Sequence, residues 1–237
     1  MRNLKAIYFK EIKSYFNSPM AYIFLVIFTV INGYFFTRTF FLFDQSDMRS
    51  LFNIIPLIYL FFIPAVTMSL IAREKNLGTM EVMSTLPLKD VDFVIGKFLA
   101  ALSLVLIGLG ISLVHFFTLT QVGTNIDYGA VFTGYLGLAL AGAVYSSVGT
   151  FASSLTDNPV IAFIIGIFII LIFFLMDKML MFVPISLTGV IQYLSVDYHL
   201  SNISRGVIDS RNLIYFGSVI GFFLFMTVRI LETRKWS

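Results

Sequence analysis

The sequence has no cysteine, so it can form no disulfide, hold no metal through thiolates and offer no cysteine nucleophile. Its two histidines are too few for a histidine-rich metal centre. Charge is scarce as well: Asp, Glu, Lys and Arg make up 12% of 237 residues, against roughly 25% in a soluble domain. No G-x-x-x-x-G-K-[ST] run occurs, so the chain carries no ATP-binding loop of its own. Neither a G-x-S-x-G nucleophile turn nor an H-E-x-x-H zinc helix is present. A lipid-modifying membrane enzyme would need acid and base residues clustered at one face, and no such cluster is visible. The opening stretch MRNLKAIYFKEIKSYFNSP is too charged for a cleavable signal peptide, and no small-residue cleavage site follows the first apolar run.

What the chain has in excess is apolar surface. Hydrophobic residues make up 58%, Phe alone contributes 27, and the mean hydropathy is +0.92. So much apolar surface requires lipid around it. A helix crosses about 30 Å of hydrocarbon with roughly 20 apolar residues. Six runs meet that length, at about 20–41, 54–72, 95–119, 131–152, 159–176 and 213–231. They predict an all-α polytopic membrane protein, with residues 1–237 forming one transmembrane domain. With the N-terminus on the inner side, eleven of the sixteen Lys and Arg residues fall inside, which places both termini in the cytoplasm. A net charge of +3 calls for no nucleic-acid partner. Charge within the spans is sparse and no repeated pair of broken helices is evident, which disfavours an ion-coupled transporter.

Ahead of the first span, Leu4, Ile7, Tyr8, Ile12, Tyr15 and Phe16 follow helical spacing, while Arg2, Lys5, Lys10 and Lys13 project elsewhere. This pattern predicts an amphipathic helix lying in the headgroup plane, with Pro19 where the chain turns into the bilayer. Glu11 falls on the apolar side, about 20° from Leu4 at 100° per residue. Two readings of it stand: a carboxylate reaching back to water, or a partner for a basic residue in segment 73–97.

Small residues crowd the fourth and sixth spans. Gly134, Gly137 and Gly142 lie close together, and Gly217-x-x-x-Gly221 is a literal GxxxG. Such faces pack on protein, either within the chain or at a dimer seam. Between the fifth and sixth spans, residues 177–212 include the apolar but broken run MLMFVPISLTGVIQYL, with Pro184 and Gly189 as breaks. Too interrupted to span, it reads as short helices dipping into the outer leaflet. Met176, Met179 and Met181 sit beside it; thioethers can hold Cu(I), but methionine is also ordinary interfacial filler. His115, inside the third span, reads either as a functional group or as a neutral side chain hydrogen-bonded within the bundle.

The main polar interruption is residues 69–88, SLIAREKNLGTMEVMSTLPL. Segment 72–97 holds Arg73, Glu74, Lys75, Glu81, Lys89, Asp90, Asp92 and Lys97, four charges of each sign, so it is no polybasic lipid patch. After Gly78 the run TMEVMSTL can make two helical turns before Pro87 stops it, with Met80 and Met83 on its apolar side. Asp90 or Asp92 can then cap the next helix. The segment reads as a helix that caps the bundle or as one that docks into a partner's groove.

These residues carry a resemblance. Arg73-Glu74-Lys75, Gly78-Thr79-x-Glu81, Leu86-Pro87 and Gly96-Lys97 resemble the motif between the second and third spans of ABC-2 type transporter permeases. KEIKSYFNSPMAYIF at 10–24 and SLTDNPVIAFII further on are similar to the branch with the gliding-motility and nitrous-oxide-reductase-maturation permeases. The resemblance implies a six-span permease of the bacterial inner membrane that forms a homodimer or a heterodimer with a second permease. It also implies two cytoplasmic ATPase subunits, which hold the ATP and Mg, while this chain binds no cofactor and is not itself an enzyme. A periplasmic accessory protein is a further implied partner, and export is the implied function. An ATPase-driven, force-transmitting or scaffolding complex without a transported substrate is the alternative. By position, Arg73, Glu74, Gly78, Thr79, Met80, Glu81, Met83 and Pro87 would form the ATPase-coupling element, and Arg73, Glu74 and Glu11 would link it to the N-terminal helix.

Overall fold

A computed structural model of the chain describes residues 2–42, 48–80, 88–123 and 126–233. The described residues form helices and no strand. In chain order these are α1 (Arg2–Asn17), α2 (Pro19–Leu42), α3 (Arg49–Thr67), α4 (Ala72–Asn76), α5 (Asp90–Val122), α6 (Tyr128–Leu155), α7 (Pro159–Lys178), a 3-10 turn (Leu180–Phe182), α8 (Ile185–Leu194), α9 (Val196–Ile203) and α10 (Ser210–Thr233). Among the described residues, six helical stretches are long and apolar enough to cross a membrane, and each contains most or all of one predicted run.

Local chemistry accounts for the boundaries. α1 ends at Asn17, and Pro19, whose fixed φ suits a first helical position, opens α2. The Asp127 side chain accepts from the Ala130 amide at 3.0 Å and caps α6; Asn158 accepts from Val160 at 2.9 Å and caps α7. The expected Asp cap of α5 is not made. Lys89 takes the cap position, and Asp90 and Asp92 sit in the first turn, where their charge favours the helix dipole. Gly189 does not break the chain either: it lies within α8, and Pro184 alone sets that helix's start.

α6 is the central helix. A Cβ built on Gly134 would lie 2.1 Å from Phe52, on Gly137 2.8 Å from Leu200, on Gly142 2.9 Å from Val105 and on Gly149 2.0 Å from Thr67. These glycines therefore serve contacts within the chain, letting α3, α5 and α9 approach the α6 backbone. Gly217 and Gly221 differ: a Cβ on either meets nothing within 4 Å among the described residues, so the GxxxG of α10 faces away from the described bundle.

At the end opposite the N-terminus, the predicted short helices are present as α8 and α9. His199, fully buried, fastens them to α10. Its Nε2 lies 2.8 Å from the Tyr193 carbonyl, to which it must donate, Nδ1 lies 2.7 Å from Asn212 Oδ1, and the ring stacks on Tyr215 at 3.9 Å. Lys178 pairs with Asp197 nearby, while Met181 is 81% exposed. His115 stacks on Phe36 at 4.8 Å, and its Nε2 is buried without a hydrogen-bond partner among the described residues.

Candidate functional site: a buried charge cluster beside the N-terminal helix

Two reversals of the chain build this end of the bundle. At the first, α3 runs into a tight turn and then α4. Ser153 of α6 secures it: its Oγ accepts from the Ile71 and Ala72 amides, both at 3.0 Å, and donates to the Met68 carbonyl at 2.8 Å. Lys75 adds a bond to the Ser154 carbonyl. At the second, α1 lies across the start of α5. Gly96 permits that approach, since a Cβ there would meet Ile7 at 3.0 Å and the Leu4 carbonyl at 3.3 Å. Tyr15 donates to the Val66 carbonyl at 3.0 Å, and Tyr8 pairs with Ser103 at 2.9 Å.

Four charges meet between these elements. Lys97 of α5 is 1% exposed, and its Nζ sits 2.8 Å from Glu11 of α1 and 3.1 Å from Glu74 of α4. Lys10, half-exposed, reaches Glu74 at 2.7 Å and Glu11 at 3.5 Å. The Phe93 ring covers the Lys97 ammonium at 4.9 Å. Two cations and two carboxylates balance, which is what makes burial of three of them tolerable. Burial is the largest single influence on Lys10 and works against its charge. The hydrogen bond and charge of Glu74, with the charge of Glu11, outweigh it and hold the ammonium above its usual range. Burial also pushes the Tyr15 phenol well up, and the Glu11 charge adds to that.

A cleft of about 350 Å³ opens beside the cluster, lined also by Arg73, Leu77 and Thr79. One oxygen of Glu74, Oε2, is buried there without a hydrogen-bond partner among the described residues. Gly78 turns the chain out of α4 at φ +67°, a conformation that favours glycine. Thr79 folds back, its hydroxyl donating to the Glu74 carbonyl at 3.1 Å. Met80 packs partly buried on the core.

The structure thus brings together Glu11 and Glu74 among the residues singled out from sequence. Arg73 is exposed and makes no ion pair among the described residues, so the link to α1 runs through Lys10 and Lys97 instead. Glu81, Met83, Pro87 and the helix predicted beyond Met80 lie outside the described residues. Sequence reasoning passed over Lys10 as a partner and Ser153 as an anchor. Lys97 carried a signal: it shares a helical face with Phe93, Val94, Ala101 and Leu104, which are buried, so its charge had to find an internal partner.

Residues 45–228 match the family model described as ABC-2 family transporter protein. Glu74 and Lys97 lie inside the match, while Lys10 and Glu11 precede it. No curated protein matches the chain.

Proposed function

The chain belongs to the ABC-2 family of transporter proteins, as a membrane subunit of an ABC transporter, and on that premise we propose that a separate cytoplasmic ATPase drives it as an exporter. It works as a pair of permease chains in the bacterial inner membrane, both termini cytoplasmic, with two ATPase subunits holding ATP and Mg. ATP closes the ATPase pair, which pushes the segment after Gly78; α4, α1 and the start of α5 then move together and the bundles rock.

The observation that carries this reading is the buried cluster of Lys10, Glu11, Glu74 and Lys97. Pulling α4 away from α1 or α5 would leave Lys97 or a carboxylate buried and unpaired, which costs about 3–5 kcal/mol. The three elements therefore respond as one body to a push at α4. Chemistry on the permease is not required.

The test is association. The chain purified gently from its native membrane should bring a nucleotide-binding protein with it. Glu81→Lys and Gly78→Pro should each abolish that association while membrane insertion stays intact. Normal assembly with the ATPase in both variants rejects the coupling role of this segment.

A further inference from the structure

We propose that a second cleft, between α1 and α4, binds the phosphate of an anionic phospholipid at the membrane surface. This inference rests on the membrane-spanning fold and not on the ATPase partnership. The cleft, of about 720 Å³, is lined by Lys10, Lys13, Ser14, Asn17, Ser18 and Arg73, with Phe9 at its edge. Three cations and no carboxylate line it among the described residues; Glu11 and Glu74 line the adjoining cleft, where Lys10 and Lys97 already balance them. Lys10 is engaged by Glu74, but Lys13 and Arg73 are exposed and make no ion pair among the described residues. With Glu11 and Glu74 balanced by Lys10 and Lys97, Lys13 and Arg73 add two like charges on one cleft, and an anion between them relieves their repulsion. Ser14 and Asn17 supply neutral donors to the same space.

The position of the cleft selects the source of the phosphate. Asn17 and Ser18 line it, and Pro19 opens the first membrane-length helix directly after them, so the cleft sits at headgroup depth. From there α2 presents Tyr22, Ile23, Val26 and Val30, each more than half exposed, as an apolar strip for an acyl chain. A free phosphate would use the cations and ignore the strip; a lipid uses both. A zwitterionic choline headgroup brings its own cation and finds no carboxylate to meet it among the described lining residues.

The test uses the full chain, with whatever subunits accompany it, in phosphatidylcholine nanodiscs titrated with phosphatidylglycerol. Native mass spectrometry after transfer to detergent counts the lipid retained. Wild type should keep one phosphatidylglycerol per chain. Lys13→Gln with Arg73→Gln should weaken retention about 30-fold, and Lys13→Arg with Arg73→Lys should restore it. Lys5→Gln, an exposed α1 cation outside the cleft, should change nothing. If the double variant fails to elute as a single species, Lys13→Gln alone should still weaken retention about fivefold.

Four outcomes overturn the proposal: no retained lipid, equal retention of phosphatidylcholine, an equal loss in Lys5→Gln, or displacement of the lipid by millimolar inorganic phosphate. Loss of a protein partner from the double variant with lipid retention intact also overturns it, and assigns the cleft to an acidic protein surface.

Discussion

Replacing Lys97 by methionine isolates the charge of the cluster from its packing. Methionine keeps most of the stem volume against Phe93, while the ammonium, held 2.8 Å from Glu11 and 3.1 Å from Glu74, disappears. The two carboxylates are left with Lys10, whose side chain is 53% exposed and stands 3.5 Å from Glu11. Lys97 is 1% exposed and both glutamates are 9% exposed, so this is the removal of one partner from a buried ion cluster. That class of change costs about 3–5 kcal/mol. For a chain of this size the loss corresponds to roughly 6–20 °C in melting temperature. Thermal unfolding in nanodiscs reads it directly. A second arm adds Glu11→Gln to Lys97→Met. The pair that remains, Lys10 with Glu74 at 2.7 Å, is neutral, so the double variant should lose about 1–3 kcal/mol less than the two single losses added together. A Lys97→Met variant melting within about 2 °C of wild type, or a strictly additive cycle, refutes the account of the cluster as a charge-balanced clamp.

Three further outcomes are expected. Gly149→Ala places a methyl 2.0 Å from Thr67 Oγ1 and should cost about 1–3 kcal/mol, whereas Gly217→Ala, with nothing within 4 Å, should change stability by less than about 0.5 kcal/mol; melting curves of the two side by side check this. Lys10 has its pKa raised by folding, so its stabilising contribution is complete below about 10.4 and is lost as pH climbs through the raised value. The melting-temperature gap between wild type and Lys10→Gln should therefore hold steady from neutral pH to about 10 and narrow above it; a gap that closes below pH 9 contradicts the assignment. His199→Ala removes both the bond to the Tyr193 carbonyl and the stack on Tyr215. Proteolysis should then cut near residues 193–196 several-fold faster, with cleavage elsewhere unchanged.

The spans were legible because their signal is additive: 17 consecutive uncharged residues at 160–176 cannot do otherwise in a 30 Å hydrocarbon layer. The paired short helices of the 177–212 segment were legible through Pro184 and the broken apolar run. What resisted reading was pairing across the chain. Glu11 lies 86 residues from Lys97 and 63 from Glu74, and no local spacing connects them. The helical angle placed Glu11 on the apolar face, which left both reaching for water and pairing with segment 73–97 open. Glycines divide the same way. Gly134 and Gly217 look alike in sequence, both on small-residue faces of apolar helices. Only the approach of Phe52 to one and of nothing to the other separates them. His199 was silent because its partners, a carbonyl and an amide, leave no mark in composition.

On the proposed reading, a joint that transmits force needs one stiff and one yielding part, and the contacts divide in that way. α4 is fastened on three sides: by Ser153 to the end of α6, by Glu74 to Lys97 of α5, and by Glu74 to Lys10 of α1. Each fastening is a buried or part-buried polar bond, costly to open without water to replace it. Gly78, by contrast, sits at φ +67° with nothing among the described residues within 4 Å of its missing Cβ, so none of them opposes a pivot there. A push arriving beyond Gly78 would reach α4, and from α4 it would pass first to α5 and α6, the helices it is bonded to. α2, α7 and α10 have less than a third of their spanning windows buried. At this end of the bundle they would follow largely through apolar packing, which can slide. The motion expected is therefore a displacement of the α5–α6 pair against its peripheral neighbours, with α1 carried along in the headgroup plane.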